Sequence, residues 1–128
     1  MRFAVKINIS EMDQKYLDQA LEWVKSRGFT NIKSIHDEFE SPAEFSRQAE
    51  EDDSMKPAIT ALSTGGKNYI EVAVKADNMQ RQITKWKLFS VMAARKGGKF
   101  YLLTPRGFKA YTEGIVKEHN LNAVIKSI

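Results

Sequence analysis

The sequence predicts an α/β protein: a mixed β-sheet flanked by helices. Three observations carry this. Phe3, Val5, Ile7 and Ile9 alternate with polar or small residues at the period of a strand. Residues 56 to 75, KPAITALSTGGKNYIEVAVK, read as two strands joined by a tight turn at Thr64-Gly65-Gly66-Lys67. The run from Tyr69 to Thr104 then reads strand–helix–strand, a βαβ unit whose strands lie parallel.

The elements follow in order. Ser10 reads as an N-cap, with acids at Glu11 and Asp13 in the first turn. Tyr16, Leu17, Ala20, Leu21 and Val24 form one apolar stripe, and Gly28 stops the helix with Phe29 packing back. Thr30 to Phe39 reads as a strand of poor alternation. Ile32 and Ile35 stand three apart, which asks for a bulge or an edge position. Pro42 to Glu50 can form a short helix, and Glu50 to Asp53 is a solvated acidic loop or, less simply, a divalent-cation site.

After the hairpin, Asp77 or Asn78 caps a helix that runs to Lys96. Met79, Ile83, Trp86, Ser90, Ala93 and Ala94 share one face. Leu88 and Met92 fall among basic residues, as a partner surface or a second packing contact would require. Gly97-Gly98 ends the helix. Lys99 to Thr104 is a strand with both faces buried. Pro105 opens a last helix to His119, Asn120 caps it, and Ala123 to Ile128 is a final strand. The order is β-α-β-(short α)-β-β-α-β-α-β in one domain of 128 residues.

Composition excludes some chemistry. There is no cysteine, hence no disulfide, thiol nucleophile or cysteine-bound zinc. No apolar run approaches the roughly 18 residues that span a bilayer. MRFAVKINIS lacks a signal-peptide core and cleavage site, so a cytoplasmic protein without membrane contact is expected. His36 and His119 have no metal-ligand spacing, the serines no nucleophile elbow, and the glycine pairs no phosphate-loop pattern. Trp86 and Phe100 read as core. Trp23 lies off its helix stripe, under a loop or against a partner. Thr104-Pro105-Arg106-Gly107 is a strand–helix turn whose amides and Arg106 can also take a phosphate.

Charge is divided unevenly. Residues 1–55 carry 7 Lys+Arg against 12 Asp+Glu, and residues 56–128 carry 13 against 4. That split points to a polyanion-binding face or to a solvated basic surface whose acidic partners lie in the N-terminal half; on the first reading the phosphate contacts are Lys75, Arg81, Lys85, Lys87, Arg95, Lys96, Lys99 and Arg106. Inside the second hairpin strand stands one acid, Glu71. A carboxylate there is costly without a metal, a cation or hydrogen bonds. Lys67 and Lys75 are its simplest ion-pair partners.

The hairpin order and its acid, over about residues 10 to 104, resemble the PD-(D/E)XK nuclease superfamily, the restriction-endonuclease-like fold. The resemblance implies an αβββαβ core. In active members Pro-Asp opens the first hairpin strand and acid-X-Lys lies in the second. The acids hold Mg²⁺ or Mn²⁺, and the lysine serves the attacking water. Here Pro57 matches and Ala58 stands for the acid; Glu71 matches and Ala73 stands for the lysine. Lys75 lies about 13 Å along the strand from Glu71, against about 6.6 Å for the usual pair. A relocated lysine would be Lys85 or Lys87, and a second acid Asp37, Glu38, Glu40 or Asp53. The resemblance thus implies Glu71 as metal ligand, with Glu71, Lys75 and Lys85 as catalytic residues. It implies nucleic acid, DNA above all, as partner. Three readings stand: a nucleic-acid-binding protein with a degraded catalytic centre, a working metal-dependent DNA endonuclease or junction-resolving nuclease, or a non-catalytic assembly protein. Domains of this superfamily often pair, so a homodimer is also expected.

Overall fold

The computed structural model describes residues 11–35 and 56–128. The expected strand at residues 2–9 and the short helix at 42–50 lie outside them. The described elements are α1 (Glu11–Ser26), β1 (Thr30–Ser34), β2 (Ile59–Ser63), β3 (Gly66–Val72), α2 (Met79–Arg95), β4 (Phe100–Thr104), α3 (Lys109–Glu118) and β5 (Val124–Ser127).

They build a mixed five-stranded sheet in the order β1-β2-β3-β4-β5. β1 and β2, and β2 and β3, pair antiparallel; β3–β4 and β4–β5 are parallel. Alternation along β3 divides the core into two layers. Ile70 joins Ile59, Ala61, Leu103 and the α1 residues Leu17, Ala20, Leu21 and Val24 on one face. Tyr69 and Ala73 join Phe100, Leu102, Ile115 and the α2 residues Ile83, Trp86, Phe89 and Ala93 on the other. Each large side chain so buried contributes about 1.5–3 kcal/mol. Tyr69 and Phe89 stack at 5.9 Å between ring centroids, and Phe89 meets Phe100 edge-on at 6.2 Å.

The local signals act as expected in most places. Asn78 caps α2, its side chain accepting from the Arg81 N–H. Asn120 follows α3 at φ 50, the left-handed stop that asparagine tolerates. β1 carries the irregularity its isoleucines required: the register shifts between Thr30 and Lys33, with Asn31 at φ 48. Among the described residues β1 is an edge strand.

Two expectations shift. α3 begins at Lys109, not at Pro105. Gly107 at φ 94 is outside helical geometry, so Pro105 to Phe108 closes a separate turn through Phe108 N–H to Pro105 O. The buried face of α2 is centred closer to Gln82 and Phe89 than the sequence indicates, and Met79 is 40% exposed. Trp23 packs against Phe29 and Tyr101. Leu88 and Met92 lean on the core, so these three residues have neighbours within the chain. No helix among the described residues is long and apolar enough to cross a membrane.

Candidate functional site

Glu71 projects from β3 on the α2 side, between Tyr69 and Ala73, and is 6% exposed. Two donors hold it. Oε2 accepts the Ala58 N–H at 2.6 Å, and Oε1 lies 3.5 Å from Lys85 Nζ. The β2–β3 register brings Ala58 there: Ile59 pairs with Ile70, so the preceding residue falls opposite Glu71. Ala58 is itself fixed from the other side, its carbonyl accepting the Ile35 N–H at 3.1 Å. Lys85 comes from the second turn of α2, with its ammonium 5.9 Å from the Phe89 ring centre. The residue that meets the acid is thus Lys85. Lys75 lies exposed beyond the end of β3, and Lys67 sits over the Tyr69 ring at 5.5 Å.

Around this pair is a pocket of about 180 Å³, lined also by Asn78, Arg81, Gln82 and Trp86. Gln82 fixes its wall. Its Nε2 donates to Val74 O at 2.7 Å, and its Oε1 accepts from the Tyr111 hydroxyl at 2.7 Å. One glutamine therefore ties α2 to the end of β3 and to α3. The pocket opens at the carboxyl end of β3, beside the start of α2, where α/β sheets commonly place ligands.

The other expected contacts separate into groups. Arg81 shares the Glu71 pocket, and Arg106 follows the carboxyl end of β4. Arg95 and Lys96 end α2, and Lys99 leads into β4. Lys87 is exposed about 200° around the helix from Lys85 and belongs to another flank. The sequence reading missed Gln82, Tyr111 and the Ala58 amide, and it assigned Lys67 and Lys33 no role in binding. Lys67 is pushed below the usual lysine value, by burial first and then by the charges of Lys33 and Lys96. Lys33 and Lys67 stand on one sheet face, and the Lys67 N–H donates to Lys96 O, so three lysines from different elements share one patch.

The described residues do not by themselves fit Mg²⁺ or Mn²⁺. They offer one carboxylate at the site, and its two oxygens already face an N–H and an ammonium. Mg²⁺ takes several oxygen ligands. The other acids considered, Asp37, Glu38, Glu40 and Asp53, lie outside the described residues. Compared with protein families, with curated proteins and with solved structures, the chain has no match. Its own residues therefore carry the functional reading.

Proposed function

We propose that this chain is a nucleic-acid-binding protein on a nuclease-like scaffold, with a catalytic centre reduced to an ion pair. The observation that carries the reading is the Glu71 site. An acid stands in the second hairpin strand, an alanine amide meets it where the superfamily has a second acid, and a lysine from the following helix lies against it. The antiparallel hairpin leading into a parallel crossover supports the same scaffold. Arg81 and Lys85 at the pocket, with Arg95, Lys96 and Lys99 at the far end of α2, supply phosphate contacts.

Binding through phosphates releases counterions, so affinity must fall steeply with salt. Anisotropy of labelled single-stranded and duplex oligonucleotides over a salt series tests this. Binding at low salt that weakens with a steep logarithmic slope, and further with Arg81→Ala, is expected. No affinity for any oligonucleotide at low salt overturns the reading.

Lys85 beside Glu71 favours one alternative, a working nuclease with a relocated lysine. It needs a further oxygen ligand from outside the described residues. Incubation with single-stranded, duplex and branched DNA in Mg²⁺ or Mn²⁺ decides between them. Cleavage abolished by Glu71→Ala establishes the nuclease, and intact substrate under every condition leaves the binding protein.

A further inference from the structure

The β2–β3 turn and the end of α2 are clamped backbone to backbone. The Lys67 N–H donates to Lys96 O at 3.3 Å, and the Tyr69 N–H to Lys99 O at 3.0 Å. Asn68, 2% exposed, completes the junction. Its Oδ1 accepts the Lys99 N–H at 2.9 Å, and its Nδ2 donates to Ala61 O and to Ser63 Oγ. A Cβ on Gly66 would collide with the Gly97 carbonyl, and one on Gly98 with the Lys67 carbonyl. Only glycine allows the two segments to lie this close.

The clamp gathers like charges. Lys67 enters from β3 and Lys96 from the C-cap of α2. Lys33 stands on the same sheet face, in the row Lys33–Thr60–Tyr69. A helix C-terminus attracts one lysine through its dipole. It does not account for lysines drawn from several elements whose charges oppose one another. Burial and the neighbours Lys33 and Lys96 hold the Lys67 amine below its ordinary value. A multiply charged anion relieves such repulsion.

We infer that this clamped junction is a second phosphate-binding point for the nucleic-acid backbone, with Lys67 and Lys96 as its contacts and Lys33 beside them. The inference rests on the binding reading above and adds a path to it. Lys67 and Glu71 lie four residues apart on β3, about 13 Å. Each strand of a duplex carries one phosphate per about 3.4 Å of axis, and successive phosphates lie further apart than that rise because they also wind around it, so the span can reach from one phosphate to another on the same strand. A backbone entering at Arg81 and Lys85 would run alongside α2 and leave over the hairpin turn.

Lys67→Met and Lys96→Met in the full chain, titrated with the same oligonucleotides, test it. Each should weaken binding several-fold and lower the salt slope by about 0.7–0.9, the value of one phosphate contact. Lys67→Arg should restore both. Lys15→Met, on α1 across the sheet, should change neither. NMR titration of the Lys67 side chain should show its value rising toward that of an ordinary lysine when oligonucleotide is added. If the wild-type chain binds while both methionine variants keep its affinity and slope, and Lys67 does not move, this inference is overturned and the general reading stands. If the wild-type chain binds no oligonucleotide, both fall.

Discussion

The two ends of α2 solve opposite electrostatic problems. At its start, Lys85 meets Glu71 at 3.5 Å, and an acid that could not stand alone in the sheet is neutralised within the chain. At its end, Lys96 is held beside Lys67, and the nearby charges oppose each other. The first end is organised by attraction between side chains. The second is organised by backbone contact, with side-chain charge working against it. Attraction explains itself in a folded monomer. Gathered repulsion costs stability; the glycine-permitted backbone contact holds these lysines together, and an outside anion would relieve what that contact imposes.

The largest expected effect tests that constraint. Gly98→Ala would drive a methyl into the Lys67 carbonyl, where backbone rather than a yielding side chain stands in the way. Overpacking of this kind should cost about 3 kcal/mol, measured by urea unfolding. Gly114→Ala is the contrast. Nothing lies within 4 Å of its Cβ position in α3, and exchanging a helical glycine for alanine should stabilise by about 0.5–1 kcal/mol. If the two variants unfold alike, the junction is not tight and the contrast between the helix ends disappears.

How much of this was legible beforehand differs between the same two ends. The acid at position 71, the hairpin and the cap at Asn78 each have a local signature: an isolated charge in a β-branched run, a Gly-Gly turn, an Asx before an apolar period. Lys85 was one of two lysines offered by the following helix. The Ala58 amide had no signature, because a backbone N–H carries no residue type. The clamp was hidden for a different reason. Gly66 and Gly98 read as turn glycines, and each also does a second job against a segment about 30 residues away, which only the parallel crossover brings close. Lys67 and Lys96 were separated in the same way. Gln82 escaped notice because a polar residue on a wheel looks solvated. Its burial follows from partners on two other elements, Val74 and Tyr111.

At the attractive end, removing the two partners should be unequal. Lys85→Met leaves the carboxylate buried with only the Ala58 N–H, and should cost about 2 kcal/mol. Glu71→Gln keeps an acceptor for that N–H and leaves Lys85 free to turn into water, since its side chain is 31% exposed. It should cost under about 1 kcal/mol. The double variant should be more stable than the sum of the two predicts. Glu71→Gln proving the more costly would mean that the pair is not what settles this end of the helix.

The smallest effect belongs to Lys67 and has a sign that can be worked out. Its folded-state value lies below 10.5, so between that lowered value and 10.5 the unfolded chain holds a proton that the folded chain has lost. Stability must therefore rise with pH across that interval. Tyr69 acts in the opposite direction. Burial raises its value above 10.0, and stability falls as pH climbs past the ordinary phenol value. Lys67 lies over the Tyr69 ring, so the lysine is read from the difference between the wild-type and Lys67→Met stability curves below the ordinary phenol value, before Tyr69 begins to titrate. At neutral pH the two should agree within about 0.5 kcal/mol, as for most surface exchanges. Toward pH 10.0 the wild-type curve should gain on the variant. Added salt at neutral pH should reproduce part of that gain by screening Lys33 and Lys96. A difference curve that stays flat with pH and with salt would mean the lysines at the end of α2 do not oppose one another, and the two ends of the helix would no longer differ in kind.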